Sequence, residues 1–217
     1  MMQFIGLALG IVVVIGALTA CTGVFTAVPE PPYKILAQQD AIEEREYAPM
    51  IVAEVTTNGA RDDAAKAGFR LLADYIFGNN TTQQKLAMTA PVQQQTSEKL
   101  AMTTPVQQQA VSSEGAWKVR FVMPTGYTLA TLPKPNNTAV QLIEQPVQRY
   151  VVIRFSGTSS AANLGEHQAL LEKYITAKQR KVTGAPQYAF YNPPWTLPFM
   201  RRNEIMFALI VPPAGRQ

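Results

Sequence analysis

The spacing of apolar side chains along the chain predicts two amphipathic helices set among short strands. Apolar residues recur at helical intervals over residues 61–77 and again over about 161–180. Short runs that contain apolar residues, are bounded by turn residues and in places alternate with polar ones are typical of strands. They predict strands at 42–47, 50–57, 117–123, 140–144, 150–156, 187–192 and 205–211. The order strands, helix, strands occurs twice, which indicates an α+β domain with helices on antiparallel sheet and two pseudo-symmetric halves.

An eleven-residue phrase occurs twice between these predicted elements. KLAMTAPVQQQ at 85–95 recurs as KLAMTTPVQQQ at 99–109, and the copies differ only where Ala90 is replaced by Thr104. Each copy is typical of a short strand with a proline that keeps it at a sheet edge or ends its pairing. Either one copy pairs in the sheet while the other extends a loop, or both pair and add a hairpin beside a pocket. We predict the first arrangement, because long surface loops cost little closure entropy.

The amino terminus has the features of a membrane-targeting segment. Residues 1–20 contain no charged side chain, and LTAC at 18–21 resembles the lipobox of bacterial lipoproteins, in which Cys21 is lipidated. An uncleaved membrane anchor is the alternative, because the apolar run is close to the length that spans a bilayer. We expect a signal or anchor at 1–20, a lipidated cysteine and tether at 21–34, a folded domain at 35–211 and a tail at 212–217. The expected location is the membrane of a bacterial cell envelope, facing the periplasm.

Composition narrows the candidate functions. The chain has 217 residues, 47% of them apolar, and a net charge of +4. The charges are scattered, with no basic run that would track a phosphate backbone, so we expect no nucleic-acid partner. Cys21 is the only cysteine and His167 the only histidine, and the common nucleotide and metal motifs are missing from the sequence. We therefore predict a binding protein without catalytic residues or a metal site, and we predict that His167 is a packing or solvated helix residue.

The most distinctive local feature is an apolar loop before the last predicted strand. Trp195, Leu197, Phe199 and Met200 lie among prolines and directly precede Arg201 and Arg202. One interpretation is that these apolar side chains close the end of the fold as core. The other is that they form the wall of an apolar pocket, with the arginines at its rim, for a planar ligand that carries carboxylates.

The first predicted helix carries a second group of candidate binding residues. Lys66 and Arg70 are spaced i and i+4 and flank Phe69. Residues at this spacing share one helix face. We expect them to place cations at the rim of the same pocket, from the side opposite the loop.

Five segments together resemble the SOUL haem-binding protein family, in order, over residues 35–210. They are EEREYAPMIVAEV at 43–55, DYIFGNN at 74–80, KLAMTAPV at 85–92, WKVRFVMP at 117–124 and YNPPWTLPFMRRNEI at 191–205. The resemblance implies a distorted eight-stranded antiparallel barrel with two helices, built from two similar halves. It also implies that one copy of the doubled phrase fills a strand position and the other is a tandem duplication beside it.

The resemblance further implies reversible binding of haem or a related tetrapyrrole. Lys66 stands where similar proteins carry a basic residue for a propionate, whereas Glu46 stands where some of them carry a histidine. We therefore expect mainly hydrophobic binding without a strong axial ligand. The expected binding residues are Lys66, Phe69, Arg70, Trp195, Leu197, Phe199 and Met200. An effector- or partner-binding module with no haem role is the alternative, and an enzyme that acts on tetrapyrroles is a third.

Overall fold

The computed structural model of the protein describes residues 30–82, 100, 103–111 and 115–211. Cys21 and the predicted signal segment, the first copy of the doubled phrase and the predicted tail lie outside the described residues. Neither of the helices described below is long and apolar enough to cross a membrane.

The described residues form two α-helices and eleven strands. The helices are α1 (Arg61–Ile76) and α2 (Ala161–Ala177). The strands are β1 (Tyr33–Gln39), β2 (Ile42–Tyr47), β3 (Met50–Asn58), β4 (Asn80–Thr81), β5 (Val106–Ala110), β6 (Ala116–Val122), β7 (Lys134–Pro135), β8 (Gln141–Gln145), β9 (Gln148–Phe155), β10 (Val182–Phe190) and β11 (Asn203–Leu209). A short 3-10 helix covers Pro198–Met200. Both predicted helices are present, and each predicted strand has a counterpart.

Two parts of the sequence prediction were wrong in detail. Strand β1 and the two-residue strands β4 and β7 were not predicted. Strand β10 begins five residues before the predicted start, and Gly184 and Pro186, residue types that commonly end a helix or a strand, lie inside it. The register with β11 shifts between Thr183 and Gln187, so the strand accommodates these two residues at an irregularity.

Nine strands form one antiparallel sheet in the order β1-β2-β9-β11-β10-β5-β6-β3-β8. Strands β4 and β7 form a separate two-stranded ladder. The predicted closed eight-stranded barrel is not confirmed, because among the described residues β1 covers the free edge of β2 and β8 ends the other side of an open sheet. What the structure has is an α+β fold with a nine-stranded antiparallel sheet.

The order of the strands has an internal two-fold pattern centred on the β10–β5 pair. Reading outward from that pair gives β5, β6, β3 and β8 on one side and β10, β11, β9 and β2 on the other. Helix α1 follows β3, and α2 follows β9, which holds the equivalent place. This arrangement matches the two-halves organisation predicted from the order of elements.

Both helices pack on the same face of the sheet. Val119 is opposite Gln108, Gln108 is opposite Tyr188, and Tyr188 is opposite Ile205, so these residues of four neighbouring strands share one face. Val119 belongs to the core cluster beneath α1, whereas Ile205 belongs to the cluster beneath α2. The opposite face carries buried polar residues, and eight strands converge there around a cavity of about 20 Å³, which indicates that the open sheet curls around this face.

Gly68 allows α1 to approach β6 closely. A Cβ atom added there would lie 2.6 Å from Cγ2 and 2.7 Å from Cβ of Val119. At Gly165 of α2, by contrast, an added Cβ would meet no atom within 4 Å. Both glycines lie inside helices, but only Gly68 is packed closely against another element. Gly165 is therefore a suitable control for a substitution at Gly68.

We expect Gly68→Ala to lower the free energy of unfolding by about 1–3 kcal/mol, because the added methyl group overpacks a rigid contact. Gly165→Ala should raise it by about 0.5–1 kcal/mol, because alanine is the better helix former and meets no neighbour. Urea unfolding of the two variants checks both signs. Equal effects of the two substitutions would contradict the close packing of α1 on Val119.

The second copy of the doubled phrase supplies β5. Its residues Val106–Gln109 pair with both β10 and β6 near the centre of the sheet. Ahead of the strand, the backbone N–H of Leu100 donates to the Ile76 carbonyl at 2.8 Å, and the Thr103 hydroxyl donates to the Val122 carbonyl. The paired segment is the glutamine-rich end of the phrase. It lies inside the sheet, and not at the expected edge, because Pro105 precedes the strand and leaves its backbone N–H groups free to pair.

Candidate functional site

The apolar side chains of the late loop, residues 193–202, point into solvent. Trp195 is 82% exposed and Phe199 is 73% exposed, and Leu197 and Met200 are more than half exposed. The interpretation that these residues close the fold as core is therefore wrong. Large exposed apolar side chains gathered on one loop are uncommon unless the surface binds something.

The loop is held in place by its own polar groups. The Arg201 guanidinium donates to the Thr196 carbonyl at 2.7 Å and to the Pro194 carbonyl at 2.5 Å. The Pro198 carbonyl accepts from the backbone N–H of Gly157, at 2.9 Å, which attaches the loop to the turn before α2. Arg201 therefore braces the loop from within instead of standing at the rim as a ligand-binding cation.

Arg202 belongs to a buried ion-pair network rather than to the rim of the loop. Its guanidinium lies 2.9 Å from Glu204, 3.0 Å from Glu30 and 3.8 Å from the ring centroid of Tyr191. Glu204 is fully buried and also pairs with Arg45, through contacts of 2.9 and 3.1 Å. Both arginines that the sequence placed at the rim of the pocket are thus engaged elsewhere.

The electrostatics of this network follow from burial and pairing. Burial would raise the pKa of Glu204, but hydrogen bonding and the charge of Arg45, together with the charge of Arg202, hold that pKa below its usual value. Burial also raises the pKa of Tyr47, whose hydroxyl oxygen accepts from the Arg45 guanidinium at 3.0 Å, to about 12. The carboxylate and guanidinium groups of this network are therefore charged, and each charge is offset by a neighbour of opposite sign, as buried charges require.

The predicted residues on α1 share one face. Lys66 and Arg70 are exposed, and the Lys66 ammonium lies 3.9 Å from Asp63, a loose surface pair. Phe69 is 40% exposed and packs edge-on against Phe121 of β6, with ring centroids 5.3 Å apart. This face thus offers one half-exposed aromatic ring flanked by two exposed cations.

The α1 face and the late loop are connected through the turn before α2. Arg61, at the start of α1, donates to the Ser159 carbonyl at 2.5 Å, and Gly157 two residues earlier holds Pro198. Within the described residues, no hydrogen bond, ion pair or ring contact joins Lys66, Phe69 or Arg70 directly to the late loop. The structure thus brings together the four loop residues and, separately, the three helix residues.

His167 is a packing residue, as predicted. Its ring stacks on Phe155 with centroids 4.0 Å apart and planes 14° apart. Its Nδ1 lies 2.8 Å from the Asn163 carbonyl, within the same helix. Among the described residues, groups of three or more His, Cys, Asp or Glu side chains arranged to hold a metal ion do not occur.

A cleft of about 590 Å³ at one end of the sheet was not predicted. We call it the end cleft. Its walls come from the β2–β3 turn, the segment after β6, the β8–β9 turn, residues 30–32 and Thr103 ahead of β5. None of the seven predicted site residues lines it. Because its walls come from five separated segments of unremarkable composition, no local sequence signal marks it.

The chain belongs to the SOUL heme-binding protein family, whose model matches residues 28–208. This membership supports a general role in binding haem or a related tetrapyrrole. No curated protein sequence is significantly similar to this chain.

Solved structures with the same fold have little sequence in common with the chain. The C-terminal domain of EcmrR aligns with a TM-score of 0.55 and 10% identity, over 82% of this chain and 98% of that one. EcmrR in a complex with DNA aligns with a TM-score of 0.54 and 11% identity, over 77% of this chain and 56% of that one. A hydrolase from Listeria innocua aligns with a TM-score of 0.53 and 14% identity, over 81% of this chain and 94% of that one. At these identities the likeness establishes the fold alone.

Proposed function

We propose that the protein binds haem or a related tetrapyrrole reversibly, through mainly hydrophobic contacts with the late loop and with the exposed face of α1. The observation that carries the proposal is the exposure of Trp195, Leu197, Phe199 and Met200 on a braced loop. A flat porphyrin covers such side chains well, and burying aromatic and aliphatic surface supplies most of the free energy of binding.

The residues of this surface fit a tetrapyrrole with weak iron ligation. Haem iron is commonly held by His, Cys, Met or Tyr, and Met200 is the one residue of these types among the seven proposed. Glu46, in the position where some similar proteins carry a histidine, is paired with Arg149 at 2.7 Å. Lys66 and Arg70 would orient the propionates, and the loop would shield one porphyrin face from water.

We also propose that Cys21 tethers the domain to a membrane of the bacterial cell envelope as a lipoprotein. The support is the LTAC sequence after an uncharged apolar segment, followed by a proline-containing stretch suited to a short tether. More than one acyl chain on Cys21 would make the attachment stable. The intact mass of the purified protein checks this, because an unmodified Cys21 within a full-length chain contradicts lipidation.

The proposed function is tested by titrating hemin into the full chain in a mild detergent and following the Soret band, with protein-free micelles as the blank. We expect saturation at one hemin per chain. The double variant Lys66→Ala with Arg70→Ala should weaken binding only about two- to tenfold, because exposed ion pairs each contribute little.

Salt dependence tests whether the two cations act through their charge. The loss of hemin affinity in the double variant should become smaller as the salt concentration is raised, because screening weakens the wild-type contacts to the propionates. Lys173→Ala, an exposed charge change on α2, should leave the affinity unchanged. No saturable Soret change, or equal losses in the double variant and the control, would contradict the proposal.

A further inference from the structure

The end cleft has the size and the walls of a small-molecule site. Its volume of about 590 Å³ falls within the range of ligand pockets in proteins, about 300–1,000 Å³. Met50 and Met123 line it, and thioether side chains adapt to ligands of different shapes. Tyr127, also in the lining, presents an aromatic ring. The walls are therefore suited to a compact apolar ligand.

The charges of the end cleft differ in sign from those of the proposed tetrapyrrole surface. Lysine and arginine are not among the described residues that line it, and its charged side chains there are Glu30 and Glu144. Glu30 is compensated by Arg202 at 3.0 Å. Glu144 is exposed and has neither an ion pair nor a hydrogen bond within the described residues. One carboxylate in the cleft is therefore uncompensated.

This charge distribution selects against the ligand proposed for the late loop. The propionates of a tetrapyrrole would meet Glu144 with no cation in the lining to offset it, and like charges at close range repel. A monocation would instead be attracted by the Glu144 carboxylate. Shape and charge thus point to the same class of ligand.

We propose that the end cleft is a second binding site, separate from the tetrapyrrole surface, for an apolar small molecule that carries one positive charge. Glu144 supplies the charge selectivity, and the methionine-lined walls supply the contact area. The proposal does not depend on haem binding, because the two sites have no residue in common.

The probes are tetraphenylarsonium and tetraphenylborate, ions of nearly the same shape and opposite charge. They are titrated into the full chain in detergent with ¹³C-methyl-labelled methionines, assigned by single Met→Leu substitutions. The aromatic rings of a bound probe shift nearby methyl signals. We expect the cation to shift Met50 and Met123 saturably while Met200 of the late loop stays in place, and the anion to bind at least tenfold more weakly.

Three variants test which features of the end cleft are responsible for binding the cation. Glu144→Gln should weaken binding of the cation about tenfold, because it removes the charge and keeps the shape. Glu166→Gln, an exposed change on α2, should leave binding unchanged. Thr125→Trp should block the cleft and abolish the shifts. Equal binding of the two ions, no effect of Glu144→Gln, or shifts at Met200 rather than at Met50 and Met123 would overturn the proposal.

Discussion

Glu204→Gln is expected to lower the free energy of unfolding by about 3–5 kcal/mol, the cost typical of removing one partner from a buried ion pair. Arg45 is 1% exposed, makes two contacts with Glu204 at 2.9 and 3.1 Å and has a further ion pair with Glu43 at 2.6 Å. The neutral amide would leave two guanidinium groups, those of Arg45 and Arg202, without their shared carboxylate. Glu166→Gln, on the exposed surface of α2, is the control and should change the free energy by less than about 0.5 kcal/mol.

The same substitution should alter the dependence of stability on pH. The pKa of Glu204 is lowered in the folded state, since the pairing with Arg45 outweighs the effect of burial. An unfolded glutamate titrates near pH 4.3, so the stabilisation by the ionised carboxylate is complete above that pH and is lost as the pH falls through the folded-state pKa.

Urea unfolding at pH 7 and at pH 3.5 measures both effects. The difference in unfolding free energy between the wild type and Glu204→Gln should be large at pH 7 and smaller at pH 3.5. A difference that does not change with pH would mean that Glu204 is not held as a carboxylate by its arginine partners.

The second large effect concerns ligand affinity. The double variant Trp195→Ala with Phe199→Ala should weaken hemin binding on the order of 10- to 100-fold, because exposed tryptophan and aromatic anchors dominate the energetics of binding surfaces. Stability should stay within about 0.5 kcal/mol of the wild type, since both side chains are largely exposed. The Soret titration reports the affinity, and urea unfolding reports the stability.

Val147→Ala with Leu170→Ala is the matched control for this variant. Both residues are about half exposed and lie outside the proposed surface. The control should bind hemin like the wild type. Equal weakening in the two double variants would mean that the late loop has no special role.

Elements whose signals are local could be predicted from the sequence. Strand β2 has the predicted bounds because Ala48 and Pro49 form the turn that ends it, and α1 ends within one residue of the prediction because Gly78 follows. A short strand was expected within the doubled phrase, but the residues that form β5, VQQQA, are mostly polar and did not mark its position. It forms because β10 and β6 pair with it on both sides, and no local pattern reports such long-range pairing.

The candidate sites likewise divide into features with a local sequence signal and features that only the fold brings together. The late loop was identifiable because its large apolar residues lie within six positions of the chain, but whether they are buried or exposed is decided by tertiary structure. Arg202 was misassigned because its partners Glu30 and Glu204 come together only in the fold. The pairing of Arg45 with Glu204 spans 159 residues, and the end cleft has walls from five separated segments, so neither feature has a local sequence pattern.

The most direct test of the proposed function is to locate a bound tetrapyrrole. Zinc protoporphyrin is diamagnetic, and its ring current shifts methyl signals that lie close to it. Titrated into the methionine-labelled full chain, it should shift the Met200 methyl signal of the late loop and leave Met50 and Met123 of the end cleft in place. Shifts at Met50 and Met123 without a shift at Met200 would contradict the account, because the tetrapyrrole would then occupy the end cleft.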